Sequence, residues 1–196
     1  FSNAWQNCSA LTSFPADAKL GTEANNVNFT RAWQSSGLTS FSTPLPTANN
    51  LFKSWATCLS LESFSAELPS ATLLNYTWNG CTALDSFSSE LSSVVLANNA
   101  WQNCTSLTDF SADVFANWNP SSITSGVFND TWDGCSALSA VSVENILTSI
   151  DASNQHGTDD GTSTGSPLGD SGIDIDYNVA TGSLSAATNS AIDSLS

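Results

Sequence analysis

The sequence is poor in basic residues. Lys19, Arg31 and Lys53 stand against eighteen acidic residues among 196, for a formal net charge of -15. A surface with this balance repels phosphate backbones and anionic lipids, which argues against nucleic acid and membrane surfaces as partners. Long hydrophobic runs are also missing. The longest, residues 94–97, is far shorter than a membrane-spanning helix, so membrane insertion is not expected.

Catalytic signatures are missing as well. The single histidine, His156, lies in a Gly- and Asp-rich stretch without a triad motif around it, and no phosphate-binding loop or metal-ligand cluster occurs. Paired carboxylates could hydrolyse glycosides, but the acidic residues recur periodically, whereas an active site normally breaks a pattern at one place. We therefore expect a protein that is not an enzyme and has no catalytic residues.

What the sequence does contain is hydroxyl groups. Serine and threonine account for 55 of the 196 residues, while only 11% of residues are charged. Such a surface differs from the Lys- and Glu-rich surface of a typical cytosolic protein. The composition therefore points to an extracellular location, on a virion or a cell surface.

A short pattern recurs along the chain: Trp, then Cys, Leu and Phe at intervals of three residues. Complete copies begin at Trp5, Trp55, Trp78 and Trp101, and two degenerate copies run Trp33, Ser36, Leu38, Phe41 and Trp132, Cys135, Leu138, Val141. A period in the low twenties is typical of stacked repeats, because one unit cannot bury its apolar face alone. The pattern predicts a solenoid of about six coils over residues 1–141.

The Trp and Cys positions are predicted to be structural. Trp at a fixed position in each repeat favours an apolar stack over a sugar-stacking surface, whereas Trp118, outside the register, is predicted to be a surface aromatic. For the five cysteines we favour a reduced, buried column over disulfides, because side chains in register point alongside each other. Ser36 in the Cys position indicates a preference for small side chains. A metal site is favoured less, since no second column of ligands accompanies the cysteines.

Each repeat also contains an alternating segment that predicts a very short strand. In residues 61–66, Leu61, Phe64 and Ala66 are predicted to point inward. The outward positions form a flat polar column, which is the candidate binding face: Ser13, Ser40, Ser63, Ser86 and Asp109, flanked by Ser42, Ser65, Ser88 and Ser111. Such a face suits weak multivalent contact with glycans.

An acid follows the strand in most repeats, at Asp17, Glu67, Glu90, Asp113 and Glu144. A serine two residues before each of the last four predicts a capped helical or 3₁₀ segment, with the carboxylate at the positive end of the helix dipole. The alternative is Ca²⁺, which takes carboxylate oxygens, with Glu67, Glu90 and Asp113 as weak candidate ligands. One carboxylate per repeat favours the structural role, so no cofactor is expected and Ca²⁺ is not favoured.

Residues 142–196 break the repeat and are predicted to form a C-terminal α/β cap. Apolar residues at helical spacing predict a helix over 143–150. An acidic Gly/Ser loop, a strand over 173–177 and a helix over 185–195 follow. The acidic residues of the loop lack EF-hand spacing, and we interpret them as solvated.

The wording A/T-W-x-x-C-x-x-L-T-S-F over residues 1–141 resembles the BspA-like branch of the leucine-rich repeats. The LTSFP wording at residues 11–15 is similar to repeats in tail-fibre and surface proteins of cyanophages. The resemblance implies a right-handed solenoid with a parallel sheet on one face, and hence an α/β solenoid fold. It also implies roles in adhesion and surface recognition.

The leading functional hypothesis is a non-enzymatic adhesion or receptor-binding module on a virion, as in a tail fibre, or on a cell surface. Its partners would be glycans or proteins of a host or neighbouring cell. The alternative is a structural subunit of an extracellular filament, formed by end-to-end association of solenoids, because an unpaired sheet edge can pair with another chain.

Overall fold

The computed structural model describes residues 1–21, 26–119 and 126–153. Within them it is an α/β structure with two parallel sheets and one helix. The strands are β1 (Val27–Asn28), β2 (Ser40–Phe41), β3 (Ala48–Asn50), β4 (Ser63–Phe64), β5 (Ser86–Phe87) and β6 (Asp109–Phe110), and the helix is α1 (Ala140–Ala152). The strand and helix predicted over 173–177 and 185–195 lie outside the described residues. No helix in the described part of the chain has the length and hydropathy to cross a membrane.

The larger sheet joins consecutive repeats in register. Its order is β2-β4-β5-β6, all parallel, and equivalent residues pair, so that Phe64 lies between Phe41 and Phe87. Since neighbouring side chains in a strand point to opposite faces, the phenyl rings point into the core and the preceding residues point outward. The predicted parallel sheet with Phe inside is confirmed. The smaller sheet pairs β1 with β3, and isolated bridges link Asn50 to Leu73 and Leu73 to Leu96.

A further ladder of hydrogen bonds runs along the Trp segments. The N–H groups of Lys53, Trp55 and Thr57 donate to carbonyls of the next repeat at 3.1, 2.9 and 2.8 Å. The residues two before and two after each of the six Trp of the pattern have positive φ: Asn3, Asn7, Arg31, Ser35, Lys53, Thr57, Tyr76, Gly80, Asn99, Asn103, Asp130 and Gly134. These left-handed residues bend the backbone so that alternate N–H groups face the same neighbouring repeat.

The core consists of stacked aromatic columns. Trp33 and Trp55 stack with ring centroids 5.0 Å apart and planes 4° apart, and Phe41 meets both indoles edge-on at 4.8 Å. The predicted apolar stack is confirmed for the five later tryptophans of the pattern, whose side chains are fully buried. Their indole Nε1 groups have no hydrogen-bond partner in the structure.

The column of thiols supplies hydrogen-bond donors inside this core. Cys58 Sγ donates to the carbonyl of Trp33 at 3.0 Å, and the same contact recurs one repeat later from Cys81 to Trp55. All five cysteines are free, and all but Cys8 are buried. The prediction of a reduced, buried column is therefore confirmed for four of the cysteines. The predicted burial is wrong for Cys8, which is free but exposed. Burial raises the pKa of the Cys58, Cys81 and Cys104 thiols.

The positions inferred from the sequence for two apolar side chains, Trp118 and Val141, are wrong. Trp118 is buried, because its Nε1 donates to the carbonyl of Val94 at 2.8 Å and its ring packs on Phe115 and Phe128. Val141 does not take the core position of Phe. It lies in the first turn of α1 with 62% of its surface exposed, because the chain turns into a helix there instead of a strand.

Helix α1 closes one edge of the larger sheet. Ser142 Oγ accepts from the N–H of Phe110 at 2.9 Å and donates to the carbonyl of Thr108 at 2.9 Å, while Asn145 Nδ2 donates to the carbonyl of Phe110 at 2.8 Å. These side chains take the place of a neighbouring strand. The predicted helix over 143–150 is confirmed, but its N-cap is Ser139 and not Ser142.

Candidate recognition surface

The candidate binding face forms a continuous column along four neighbouring strands. Ser40, Ser63, Ser86 and Asp109 are paired in register along the outer side of the larger sheet. Ser86 is half-buried and the other three are exposed. We call these four residues the strand face. Its members are one repeat apart, about 4.8 Å in a parallel sheet, which gives a flat row of short polar side chains.

Ser13, the fifth residue predicted for this face, is exposed but lies outside both sheets. The first repeat still contacts the second there, through a hydrogen bond of 3.1 Å from the N–H of Thr39 to the carbonyl of Thr12. Ser13 thus continues the direction of the strand face without sharing its regular pairing.

A groove of about 310 Å³ opens beside the strand face, between two neighbouring repeats. It is lined by residues 65–69, 88–90 and 92. Ser65 and Ser88, both exposed, flank the strand face and also line the groove, so the two surfaces are continuous. Ser89 is 4% exposed, and its Oγ has no hydrogen-bond partner in the structure.

The sequence pointed to Ser65, Ser88, Glu67 and Glu90, which line this groove, but not to the groove itself. A concavity between two repeats depends on how their loops are shaped, and the repeat period carries no information on that. The one available signal is Pro69 after Glu67-Leu68, where the next repeat has Ser92 after Glu90-Leu91.

The column of acids was predicted to lie at helix N-termini, with Ca²⁺ binding as the alternative. Residues 65–68 and 88–91 are not helical, and the first turn of α1 contains no acid. The helix-dipole explanation is therefore wrong for these residues. Glu67 and Glu90 share the groove, whereas Asp113 does not line it, and Glu90 Oε1 accepts from Asn117 Nδ2 at 2.9 Å.

No group of three or more His, Cys, Asp or Glu side chains that could hold a metal occurs within residues 1–21, 26–119 and 126–153. His156 and the acidic loop after it lie outside those residues. The predicted ligands Glu67, Glu90 and Asp113 contribute one carboxylate per repeat.

Comparison with known proteins identifies no relative: no family model, no curated protein and no solved structure matches the chain. The strand face, the groove and the remaining surface therefore provide the indications of function.

Proposed function

We propose that the repeats form a right-handed leucine-rich-repeat solenoid of the BspA type with about six coils over residues 1–141. Residues 142–196 would be its C-terminal cap. The in-register pairing of β2, β4, β5 and β6 supports this, as do the aromatic columns and the side chains of α1 that cover β6.

On this architecture, the protein is a non-enzymatic extracellular module for adhesion or receptor binding, carried on a virion or a cell surface. The observation that carries the proposal is the row of hydroxyls at Ser40, Ser63 and Ser86 that continues into the groove. Hydroxyls repeated at a constant spacing can meet the repeated hydroxyls of a glycan at several points, so that weak single contacts add up. A surface protein of a host or neighbouring cell is the second partner class.

A glycan array probed with the intact protein tests this proposal. We expect selective binding to a subset of glycans, and a loss of roughly tenfold or more for Ser63→Glu, which places a bulky charge in the middle of the strand face. Ser60→Glu is the matched control, since Ser60 is exposed but outside the sheet. Absence of any glycan binding, or equal binding by both variants, would count against the strand face as a glycan site.

The alternative is a filament subunit, formed by end-to-end association of the repeats through an unpaired sheet edge. Electron microscopy of the purified protein distinguishes the cases, since regular filaments support the structural role and separate particles at high concentration argue against it.

A further inference from the structure

A patch of opposite charge lies on the Trp-segment side of the repeats, away from the strand face. Lys53 Nζ lies over the rings of Phe52 and Tyr76, at 5.3 and 4.9 Å from their centroids. Arg31 Cζ lies 5.8 Å from the centroid of Phe52. We call these four residues the basic–aromatic patch. It brings together two of the three basic side chains of a protein with eighteen acidic ones.

No carboxylate of residues 1–21, 26–119 or 126–153 pairs with either cation of the patch. Within the described residues, the structure records ring contacts for Arg31 and Lys53 and no ion pair. In the column of residues two before each Trp, the nearest acid is Asp130, three repeats beyond Lys53. At about 4.8 Å per repeat this is about 14 Å, well beyond the screening length of about 8 Å at physiological salt. Along this column, the patch is therefore positive despite the net charge of the chain.

Arg31, Lys53 and Tyr76 lie at backbone positions with positive φ, which long side chains adopt less readily than Asn. Asn3 and Asn99 occupy the same column with positive φ, and Asn takes this conformation at low cost. Three consecutive repeats instead place Arg31, Lys53 and Tyr76 there, with φ of 56, 57 and 59°. A long side chain at a strained position points to a local function when neighbouring repeats use the cheaper residue.

We propose that the basic–aromatic patch binds an acidic saccharide through its carboxylate or sulfate group. The Arg31 guanidinium can hold such a group with two parallel hydrogen bonds, and the Lys53 ammonium adds a second charge one repeat away. The half-buried rings of Phe52 and Tyr76 offer apolar contact to the sugar. Thr30 and Asn50 in the same two repeats are half-buried polar neighbours suited to sugar hydroxyls. This site would bind the same class of ligand as the strand face, a saccharide, but it lies on a different surface.

Titration of the intact protein with three probes tests this assignment: an oligouronate, a sulfated oligosaccharide and an uncharged oligoglucan. We expect saturable binding of at least one acidic probe, weakened by added salt, and no comparable binding of the uncharged one. The uronate and sulfate arms show which anion is preferred. Lys53→Gln and Arg31→Gln should each weaken acidic binding roughly tenfold, while Lys53→Arg should retain most of it.

Lys19→Gln is the control for net charge, because Lys19 is exposed and its substitution removes the same charge outside the patch. Equal weakening by Lys19→Gln and Lys53→Gln, or no binding of either acidic probe, would overturn the inference. Loss of acidic binding in Ser63→Glu but not in Lys53→Gln would overturn it while supporting the strand face. Salt-sensitive self-association that Lys53→Gln abolishes, without saccharide binding, would assign the patch to a second acidic chain and also overturn it.

Discussion

The first repeat and the repeat that begins at Trp78 contain the same pattern in opposite environments. Trp78, Cys81 and Phe87 are buried to within 1% of their surface. In the first repeat Trp5 is partly buried and Cys8 is exposed. The difference teaches that the pattern does not make a core by itself.

Trp78 stacks between two tryptophans, whereas Trp5 stacks on one, Trp33. Trp132, the last of the pattern, also stacks on one Trp but is fully buried, with Phe115 and Phe128 packed against it. Burial of the pattern therefore depends on what packs against each repeat, as expected for stacked units that depend on their neighbours.

At the opposite edge of the larger sheet, a helix covers the last strand instead of another repeat. There the chain stops repeating, and α1 supplies Ser142 and Asn145 as partners for the backbone of Phe110. A sheet edge without such partners can pair with another chain. The contrast between the partly exposed first repeat and the covered edge of β6 can be tested by perturbing each in turn.

The largest effect is expected from truncating a tryptophan that packs on both sides. Trp78→Ala should lower the free energy of unfolding by about 3–5 kcal/mol, because it empties a fully buried position. Trp5→Ala removes the same side chain from a position with one stacked Trp neighbour, Trp33, and should cost less than half as much. Urea denaturation of both variants measures this difference. Equal losses would show that the first repeat is as well packed as the interior.

The contact between the first two repeats is expected to depend on Gly37. A Cβ there would come within 2.0 Å of the carbonyl oxygen of Ser9, so Gly37→Ala should cost about 2–3 kcal/mol by forcing the repeats apart. Gly80→Ala is the control, since its Cβ would meet nothing closer than 3.5 Å and only its φ of 71° is unfavourable. Limited proteolysis should show cleavage near the first repeat only in Gly37→Ala. A tolerated Gly37→Ala would contradict this close contact.

The covered edge is expected to weaken when the serine that stands in for a strand is removed. Ser142→Ala leaves the N–H of Phe110 and the carbonyl of Thr108 without this partner, which should cost about 1–3 kcal/mol. Ser136→Ala, at an exposed position before the helix, should be nearly neutral. Thermal unfolding of the pair provides the measurement, and a neutral Ser142→Ala would mean that α1 is not needed to complete the sheet.

An effect that is absent at neutral pH is expected under alkaline conditions. Burial raises the pKa of Cys58, Cys81 and Cys104 above the ordinary value of 9.0. The folded state therefore holds these protons more tightly than the unfolded chain, and stability falls as the pH rises above that value. A combined variant with Ser at all three positions should lose less stability between pH 8 and pH 10, as measured by urea denaturation. An unchanged pH dependence would mean that other groups cause the alkaline loss.

Sequence periodicity predicted the parts of the fold that repeat. The inward Phe and outward Ser of β4 and the helical spacing after residue 142 were both visible as patterns. Features that depend on one repeat touching another in a particular way were not. Trp118 is buried because the loop that carries it reaches the carbonyl of Val94, and no residue pattern encodes such a hydrogen bond.

The candidate sites divide in the same way. The strand face follows from alternation within one repeat, and the structure places four of the five predicted residues in register. The groove lined by residues 65–69, 88–90 and 92 arises between repeats and was not predicted. The basic–aromatic patch was available in principle, because Arg31 and Lys53 each precede a Trp by two residues. Its significance depends on contacts with Phe52 and Tyr76 that only the packed repeats reveal.

The most direct test of the central claim, that packing by neighbouring segments buries the repeated pattern, is to count reactive thiols in the native protein. All five cysteines lie in the same position of the pattern, and only Cys8 is exposed. Brief alkylation at neutral pH, followed by mass spectrometry, should add one label, at Cys8, whereas alkylation in denaturant should add five. Labelling of Cys58, Cys81, Cys104 or Cys135 as fast as Cys8 in the native protein would contradict the account.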